Sequence, residues 1–511
     1  MKTVRRIDPE NVILKDRLRA TSLVLGDARL PSAPDDLHAA DYLDALLGVV
    51  QDDGSVDVAW LVLVALTGAY PTADDVLYTV RTLQLESRED AMRHVLESVH
   101  ARTADSGNMN REMRLVHGGV VVDVTHAAQM NIHSGIQQVV RRTMPIWHEQ
   151  HAVTFGVWTK NGSILRSPSD EELDRLLRWS EFERSGRAKL PIDPDVDYRA
   201  SSSPIVVPWR STLVLAEVPP HRAGEPLFCV ARYSGNDVKA VGHDCIPIAS
   251  ADLVPIHEIY KFVSYLTVIK HARQVAAVSE SANAEFSGYV ESLRSQGIEG
   301  PVVSTCREPS GVDDTLGAAP KPSPERSGEA SGGDRVPTIL SVVGPEPRKN
   351  HGALLFAAEL LWREGHAFEL QFIGGVGWDS YRGAELRLLQ AQGRPIEVTF
   401  AASDEELAAA YRKARFTVFL SLHEGYGLPV AESLALGTPA VTSNFGATAE
   451  FEESGGAILV DPRDDDAIVA ALRWLLTDDE AVAQMRARLA SRQLSGWDHY
   501  AKALWDCLIG S

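Results

Sequence analysis

The sequence predicts an α/β protein with two domains of alternating strands and helices, preceded by a helical segment. Short apolar runs alternate with helical patterns from His117 onward, which is typical of a parallel sheet wrapped by helices. A second alternating series begins at Thr338. Residues from about 35 to 102 show helical periodicity and no strand pattern. We therefore expect two sheets and a separate helical region.

Length and composition place the chain among ordinary globular proteins. Its 511 residues suffice for two or three domains, and 44% hydrophobic content allows cores of the usual size. The formal net charge of −20 disfavours a nucleic-acid-binding protein and gives no general attraction to an anionic membrane.

Cysteine usage and hydropathy indicate the compartment. The four cysteines lie far apart and form no Cys-x-x-Cys pair, so we expect neither a disulfide scaffold nor a zinc site. The first 17 residues contain no apolar core of signal-peptide length, and there is no uncharged apolar run of 18 residues. These features favour a cytoplasmic protein without a transmembrane segment.

The N-terminal region, residues 1–112, is interpreted as a small helical bundle. Turn or capping residues precede three of its helices, at Asp35–Asp36, Tyr70–Asp75 and Ser87–Asp90. A further helix runs through the apolar stretch Val58–Leu66 and stops at Gly68. Because nothing in this region resembles a reactive centre, we interpret it as a docking module for a protein partner.

The first α/β domain is assigned to residues 113–308. Its predicted strands are Gly119–Val124, Ala152–Trp158, Leu213–Ala216 and Gln274–Val278, with a helix at Gly135–Arg142. Residues 161–211 are less regular and rich in Ser, Pro and Asp, and are interpreted as an insertion.

A Pro-, Gly- and Ser-rich linker, residues 309–336, leads to a second α/β domain, residues 337–490, and a C-terminal helix, residues 491–511. The predicted strands of the second domain are 338–343, 369–373, 396–400, 416–421 and 439–442; its predicted helices are 352–363, 383–392, 404–412 and 429–436. Two such domains facing each other would enclose a cleft at the carboxyl ends of their strands, where open α/β sheets bind ligands.

The stretch SLHEGYGLPVAESLALG, residues 421–437, joins a predicted strand to a predicted helix. Gly425 and Gly427 allow the backbone to approach a ligand closely. The helix start favours an anion, because its amides and dipole present positive charge. Glu424 and Glu432 can face one bound molecule from two sides, and paired carboxylates are good acceptors for sugar hydroxyls.

A second polar segment, Gly344–His351, follows the first strand of this domain. Arg348 and Lys349 stand beside a strand end and are well placed to bind a diphosphate. An anion site and a polyol site on one domain together suggest a nucleotide sugar.

With these segments, the chain resembles the retaining glycosyltransferases of the GT-B fold, family 4, including bacterial mannosyltransferases of polysaccharide assembly. The resemblance covers roughly residues 117–511. It is carried by the segments Glu424–Glu432, Pro347–Asn350, Pro439–Asn444, Val460–Pro462 and Trp497–Asp498. It implies the GT-B architecture, two Rossmann-like domains facing a central cleft, here with an extra N-terminal helical domain and a last helix that crosses back to the first domain.

The resemblance implies roles in the second domain. Glu432 would bind the ribose, and Glu424 would contact the donor sugar and stabilise charge near the anomeric carbon. Arg348 and Lys349 would neutralise the leaving diphosphate, so that neither a metal nor a cofactor is required. Backbone amides would hold the sugar and phosphate at Gly425, Tyr426, Gly427 and Leu428.

In the first domain, the resemblance implies that Gly135 approaches the donor phosphates. Gln138 stands where many relatives carry an arginine, in a Thr-Gly-Ile-Gln-Arg segment. His243 would border the acceptor and the donor sugar, and Asp244 would orient its loop. Ser279 ends the next strand on the acceptor side.

The implied function is a retaining hexosyltransferase that moves a sugar, with GDP-mannose favoured as donor, to a saccharide or lipid-linked acceptor in surface glycan synthesis. The retaining chemistry would follow a front-side path in which the departing phosphate takes the acceptor proton. Such an enzyme would work in the cytoplasm or at the inner face of the membrane. Two alternatives stay open: a GT-B-fold nucleotide-sugar epimerase or phosphorylase, and a non-catalytic sugar-nucleotide-binding scaffold.

Overall fold

The computed structural model describes residues 9–31, 37–106, 108–132, 135–190, 203–309, 336–342, 344, 346–374, 383–400 and 402–510. The predicted cap at Asp35–Asp36, most of the predicted linker and Ser134 lie outside these residues.

The N-terminal region is helical, as predicted. Its helices are α1 Pro9–Leu25, α2 Ala39–Asp53, α3 Val56–Thr67, α4 Ala73–Leu85 and α5 Arg88–Ser106. Helix α1 was not predicted, because charged residues interrupt its apolar positions. Helix α4 begins after Thr72, whose hydroxyl accepts the N–H of Asp75 in a capping box.

These helices share a hydrophobic core with the first sheet. Residues Val58–Thr67 of α3 are all buried, as expected for the apolar stretch. The buried guanidinium of Arg17 donates hydrogen bonds to the carbonyl oxygens of Asn108 and Arg111. The hydroxyl of Tyr70 donates to the carbonyl of Val206 at 2.7 Å. The helices are thus fixed to the α/β domain on one side, and a protein partner for them stays a prediction.

The first sheet has nine strands among the described residues, in the order β1-β5-β4-β3-β2-β6-β7-β8-β9. They are β1 Met113–His117, β2 Val120–Asp123, β3 Val153–Trp158, β4 Leu165–Arg166, β5 Ile205–Trp209, β6 Thr212–Leu215, β7 Asp237–Gly242, β8 Gln274–Ala277 and β9 Val302–Thr305. The helices are α6 Thr125–Gln129, α7 Gly135–Gln150, α8 Asp170–Leu177, α9 Trp179–Arg184, α10 Gly224–Tyr233, α11 Ile246–Ala249, α12 Ile256–Ile269 and α13 Glu280–Leu293. All described strand pairs are parallel except the two made by β4.

The irregular segment 161–211 extends this sheet. It contributes β4 and the fully buried β5, which pairs with β1 in parallel. Pro208 within β5 obscured the strand pattern, because proline cannot donate to a ladder. The segment is anchored by Arg166 and Glu172, whose fully buried side chains form two hydrogen bonds of 2.7 and 2.8 Å.

The second sheet is parallel, in the order β12-β11-β10-β13-β14-β15. Its strands are β10 Thr338–Val342, β11 Glu369–Gly374, β12 Ile396–Phe400, β13 Phe416–Phe419, β14 Ala440–Ser443 and β15 Ala457–Val460. The helices are α14 His351–Arg363, α15 Gly383–Ala391, α16 Asp404–Lys413, α17 Leu428–Ala435, α18 Asp465–Thr477 and α19 Asp479–Ala490. The strand order reverses between β10 and β13, and ligands of such sheets bind outside the strand ends at that point.

The C-terminal helix, α20 Trp497–Leu508, packs on the first domain. The indole N–H of Trp147 in α7 donates to the carbonyl of Ala501 at 2.8 Å, and its ring meets that of Trp505 edge-on. Lys239 in β7 donates to the carbonyl of Leu508. Among the described residues, no helix is both long and apolar enough to cross a membrane.

Glu172→Ala tests whether the segment 161–211 is a structural part of the first domain. Removing one partner of a buried ion pair leaves Arg166 buried without its counter-charge, so we expect the free energy of unfolding to fall by about 3–5 kcal/mol. The neighbouring Glu171, whose own side chain is 60% exposed, pairs with the buried Arg175, which keeps hydrogen bonds to Asn131 and to the carbonyl of Ala128. Glu171→Ala should cost less than about 1 kcal/mol. Denaturant unfolding of both variants measures this, and equal effects would contradict the assignment.

Candidate active site

The two polar segments predicted from the sequence meet where the second sheet reverses its order. The loop after β10 ends in a 3₁₀ turn, Pro347–Lys349, and the loop after β13 carries Glu424. The N–H of Leu422 donates to the carbonyl of Arg348 at 2.7 Å, which joins the two loops directly. Arg348, Lys349 and Glu424 are therefore brought together, as the sequence predicted.

The carboxylate of Glu424 is shared by two cations. Its Oε1 lies 2.6 Å from Lys349 Nζ and 2.8 Å from Arg348 Nη1. Arg348 also contacts Glu346 through Nε at 2.7 Å and the carbonyl of His423 at 3.2 Å. The side chains of Lys349 and Glu424 are each 10% exposed, so water screens this cluster only weakly.

Burial and charge compete at these groups. Burial disfavours the charged form of Glu424, but the attraction of Arg348 and Lys349 outweighs it and lowers the pKa to about 2. Burial also lowers the pKa of Lys349, and there the attraction of Glu424 does not restore it, because Arg348 repels the ammonium. For Arg348 the nearby carboxylates outweigh burial and raise the pKa. The cluster holds an ionised carboxylate between two cationic side chains.

Gly425 packs directly against the backbone of the first domain. A Cβ built on it would overlap the carbonyl oxygen of His243 in the first domain, so only glycine fits there. The hydroxyl of Ser279, at the end of β8, donates to the carbonyl of Gly425 at 2.5 Å. The predicted acceptor-side residues His243 and Ser279 therefore lie against the loop that carries Glu424.

The helix after this loop begins at the cleft. Gly427 has a φ of 108° and precedes α17, whose first residue is Leu428. Gly135, at the start of α7 in the first domain, lies next to the Leu428 side chain. The buried Tyr426 donates its hydroxyl to the carbonyls of Glu308 and Pro309. Two helix N-termini, which favour anions, thus approach each other across the cleft.

Glu432 is buried in α17 and has its own partners. The hydroxyl of Tyr411 donates to its Oε2 at 3.1 Å. The amide of Gln138, in the first domain, donates to its Oε1 at 2.9 Å. Burial raises the pKa of Glu432, and the charge of Arg142 and these two hydrogen bonds only partly offset that. Gln138 therefore replaces the expected arginine with an uncharged contact across the cleft.

His243 and Asp244 follow β7 at the bottom of the cleft. His243 Nε2 lies 3.0 Å from the carbonyl of Ala216, and because a carbonyl only accepts, this nitrogen carries the hydrogen. Burial lowers the pKa of His243, so the ring is neutral. Asp244 accepts the N–H of Ile246 at 3.0 Å, and burial raises its pKa despite the attraction of Arg348. These contacts fix the loop beside Gly425.

Sequence reasoning missed four polar residues at this interface. His423 contacts both Ser250 and Glu285 of the first domain, and Tyr411 contacts Glu432. His423 stands next to Glu424, and that adjacency was the only signal available from the sequence. Glu285 and Tyr411 lie on helices whose partners depend on the tertiary fold. Among the described residues, no group of three or more His, Cys, Asp or Glu side chains is arranged to hold a metal ion.

Comparison with known proteins agrees with this geometry. Residues 329–492, about a third of the chain, match the sequence model of the family described as glycosyl transferases group 1. This region contains Arg348, Lys349, Glu424 and Glu432, so the four residues of the candidate site lie within the part of the chain that matches that family.

Two relatives from Escherichia coli extend the match. O-antigen chain mannosyltransferase B is 34% identical over 30% of this chain and 41% of its own length. The serotype-specific mannosyltransferase WbdA is 24% identical over 78% of this chain and 46% of its own length. The chain thus spans less than half the length of both relatives. The sucrose-phosphate synthase of Thermosynechococcus elongatus, 16% identical with a TM-score of 0.50 over 76% of this chain and 97% of its own, has the same fold, which confirms the expected GT-B architecture.

The lowered pKa of Glu424 predicts a specific acid sensitivity. Its stabilising contribution is present above the ordinary value of 4.5 and is lost as the pH falls toward about 2. In Glu424→Gln this part of the pH dependence should disappear, because the amide does not titrate. The difference in unfolding free energy between wild type and variant should therefore shrink below a pH of about 4.5, as measured by urea unfolding over a pH series. A difference that stays constant over that interval would contradict the ion pair.

Proposed function

We propose that this chain, whose second domain matches the glycosyl transferases group 1, transfers a sugar from a nucleotide-diphosphate sugar to a saccharide or lipid-linked acceptor. The observation that carries the proposal is the pair Arg348 and Lys349, both on the carboxylate of Glu424 at the point where the sheet order reverses. A diphosphate entering there meets two weakly screened cations and the N-terminus of α17.

Charge neutralisation of the leaving group follows from the same residues. Negative charge develops on the diphosphate as the glycosidic bond breaks, and preorganised cations stabilise it most effectively where water is excluded. Arg348 and Lys349 supply two positive charges without a metal ion, so we propose that transfer requires neither metal nor cofactor. The ionised Glu424 lies within the same cluster and would stabilise positive charge that develops at the anomeric carbon.

Retention of the anomeric configuration is part of the proposal. A front-side path needs the acceptor and the leaving phosphate on one face of the sugar, with the phosphate taking the acceptor proton. His243 supports this path because Nε2 is bonded to the carbonyl of Ala216 and the ring is held neutral, so it serves to shape the acceptor side of the cleft. Glu424 is too strongly held by its two cations to act first as a base.

The donor and the setting are proposed from the relatives. Two of them are named as mannosyltransferases, one of O-antigen chains, so we propose GDP-mannose as the donor and a surface glycan as the product. All four cysteines are unpaired, which supports a reducing cytoplasm as the place of reaction, at the membrane face when the acceptor is lipid-linked.

Donor binding is tested by thermal unfolding with UDP-, GDP- and dTDP-sugars. We expect GDP-mannose to raise the melting temperature of the wild type. Glu432→Ala should abolish that rise by removing an acceptor for the ribose hydroxyls, whereas the exposed Glu405→Ala should keep it. The absence of stabilisation by any nucleotide sugar would overturn the donor class.

Turnover is tested by product formation from the stabilising donor. Lys349→Ala should lower kcat by about 10²–10³-fold with a smaller change in KM, because it removes charge stabilisation that grows in the transition state. Lys413→Ala, an exposed lysine of the same domain, should leave kcat unchanged.

The stereochemical course is read from the new glycosidic bond by NMR. An α-linked product from an α-linked donor supports retention. A β-linked product would refute it, and an isomerised nucleotide sugar formed without an acceptor would indicate an epimerase.

A further inference from the structure

His423 bridges the two domains. It lies in the loop between β13 and α17, residues 420–427, which also carries Glu424 and is called the donor loop below. Its Nε2 lies 2.7 Å from Oε1 of Glu285, in α13 of the first domain, and its Nδ1 lies 2.8 Å from the hydroxyl of Ser250. Glu285 in turn accepts the N–H of Cys245 through Oε2 at 2.6 Å. The imidazole of His423 therefore contacts two separate parts of the first domain, at Glu285 and at Ser250. Glu285 is in addition hydrogen-bonded to the loop after β7, at Cys245.

The same residue is part of the cation cluster through its backbone. The carbonyl of His423 accepts a hydrogen bond from Arg348 Nη1 at 3.2 Å, and the next residue is Glu424. The side chains of His423 and Glu285 are 14% and 15% exposed, so their interaction is weakly screened. Glu285 of the first domain is thus connected to Arg348 of the second through the side chain and the carbonyl of a single residue, His423.

We propose that His423 is a positioning residue that, as an imidazolium paired with Glu285, holds the two domains in their closed arrangement and sets the donor loop against the acceptor side. Domains of one chain move relative to each other by default unless the contacts between them hold them in place. The consequence for catalysis rests on the proposed function, whereas the closure itself does not.

The charges around His423 favour its protonated form. Burial lowers its pKa, but the hydrogen bond and charge of Glu285, with the charges of Asp244 and Glu424, outweigh burial and raise it above 6.5. Arg348, which lies on the opposite side at the backbone carbonyl, is paired with Glu424 and Glu346. The ion-pair contribution is therefore present below the ordinary pKa of histidine and is lost as the pH rises through the raised value.

Deprotonation and substitution should have different effects. A neutral ring can keep both hydrogen bonds, because Nε2–H still donates to Glu285 and the hydroxyl of Ser250 can rotate to donate to Nδ1. Raising the pH then removes only the charge attraction. His423→Ala removes the charge and both hydrogen bonds, and Glu285→Gln removes the charge while an acceptor oxygen remains.

Small-angle X-ray scattering of the full chain, without substrate, tests the closure. We expect the radius of gyration of the wild type to be larger at about pH 9 than at about pH 6, because the ion pair is present below the ordinary pKa of histidine and is lost as the pH rises through the raised pKa. His423→Ala should be expanded at both values, and Glu285→Gln should lose the pH dependence. The matched control is His94→Ala, since His94 also pairs with a glutamate, Glu86, at 2.7 Å, and both residues lie in the N-terminal helical region.

The effect on catalysis is tested by steady-state kinetics with the nucleotide sugar that stabilises the protein in thermal unfolding. His423→Ala should lower kcat/KM by about tenfold near pH 6 and flatten its pH profile, while the melting temperature of each variant reports on folding. A radius of gyration and a pH profile equal to those of the wild type and His94→Ala would overturn the proposal. If scattering shows the expected change but no sugar is transferred, the proposed function fails and the positioning of the domains stands.

Discussion

The ion cluster of Glu424 with Arg348 and Lys349 is the constraint on which the rest of the site depends. Two cations placed this close in a poorly hydrated cleft repel each other, and each has lost most of its hydration. The ionised carboxylate of Glu424 between them offsets these costs at Arg348, with help from Glu346, but only in part at Lys349, whose pKa stays lowered. The attraction of the two cations in turn lowers the pKa of Glu424 to about 2 despite burial. The cluster also joins the loops after β10 and β13, between which the strand order reverses. The same three side chains therefore hold the two loops together and supply the charges of the candidate site. Under the proposed function, a diphosphate would supply part of the negative charge that Arg348 and Lys349 now receive from Glu424.

The close approach of the domains follows from backbone geometry. Gly425 packs on the carbonyl of His243, and the hydroxyl of Ser279 donates to the carbonyl of Gly425. The loop that carries Glu424 is therefore in direct contact with two residues of the first domain. Helix α20 reinforces this arrangement, because it leaves the second domain and buries its apolar face on α7 and β8. These contacts and the side-chain contacts of His423 together hold the two domains against each other across the cleft.

Local patterns predicted most of the second domain, and tertiary pairing explains what they missed. The runs 338–343 and 416–421 were identifiable because short buried strands bounded by turn residues leave a clear apolar signal. Strand β5 was not identifiable from the sequence, because Pro208 interrupts the apolar signal. Its existence as a strand depends on its pairing with β1 and β4. The cation pair and Glu424 were predicted from their positions at strand ends. The partners His423 and Glu285 are 138 residues apart, and no spacing along the chain indicates such a contact.

The replacement of an expected arginine by Gln138 shows how one residue sets the state of another across the cleft. An arginine beside Glu432 would favour the carboxylate strongly, as Arg348 does for Glu424. The Gln138 amide donates a hydrogen bond without a charge, and together with the charge of Arg142 it does not outweigh burial, so the pKa of Glu432 is raised. The two glutamates of one loop-and-helix segment therefore differ in kind: Glu424 is held ionised beside the cations, and Glu432 is held by neutral donors. That difference suits an anion and a hydroxyl-bearing ring bound side by side, since the first demands fixed charges and the second demands hydrogen-bond partners.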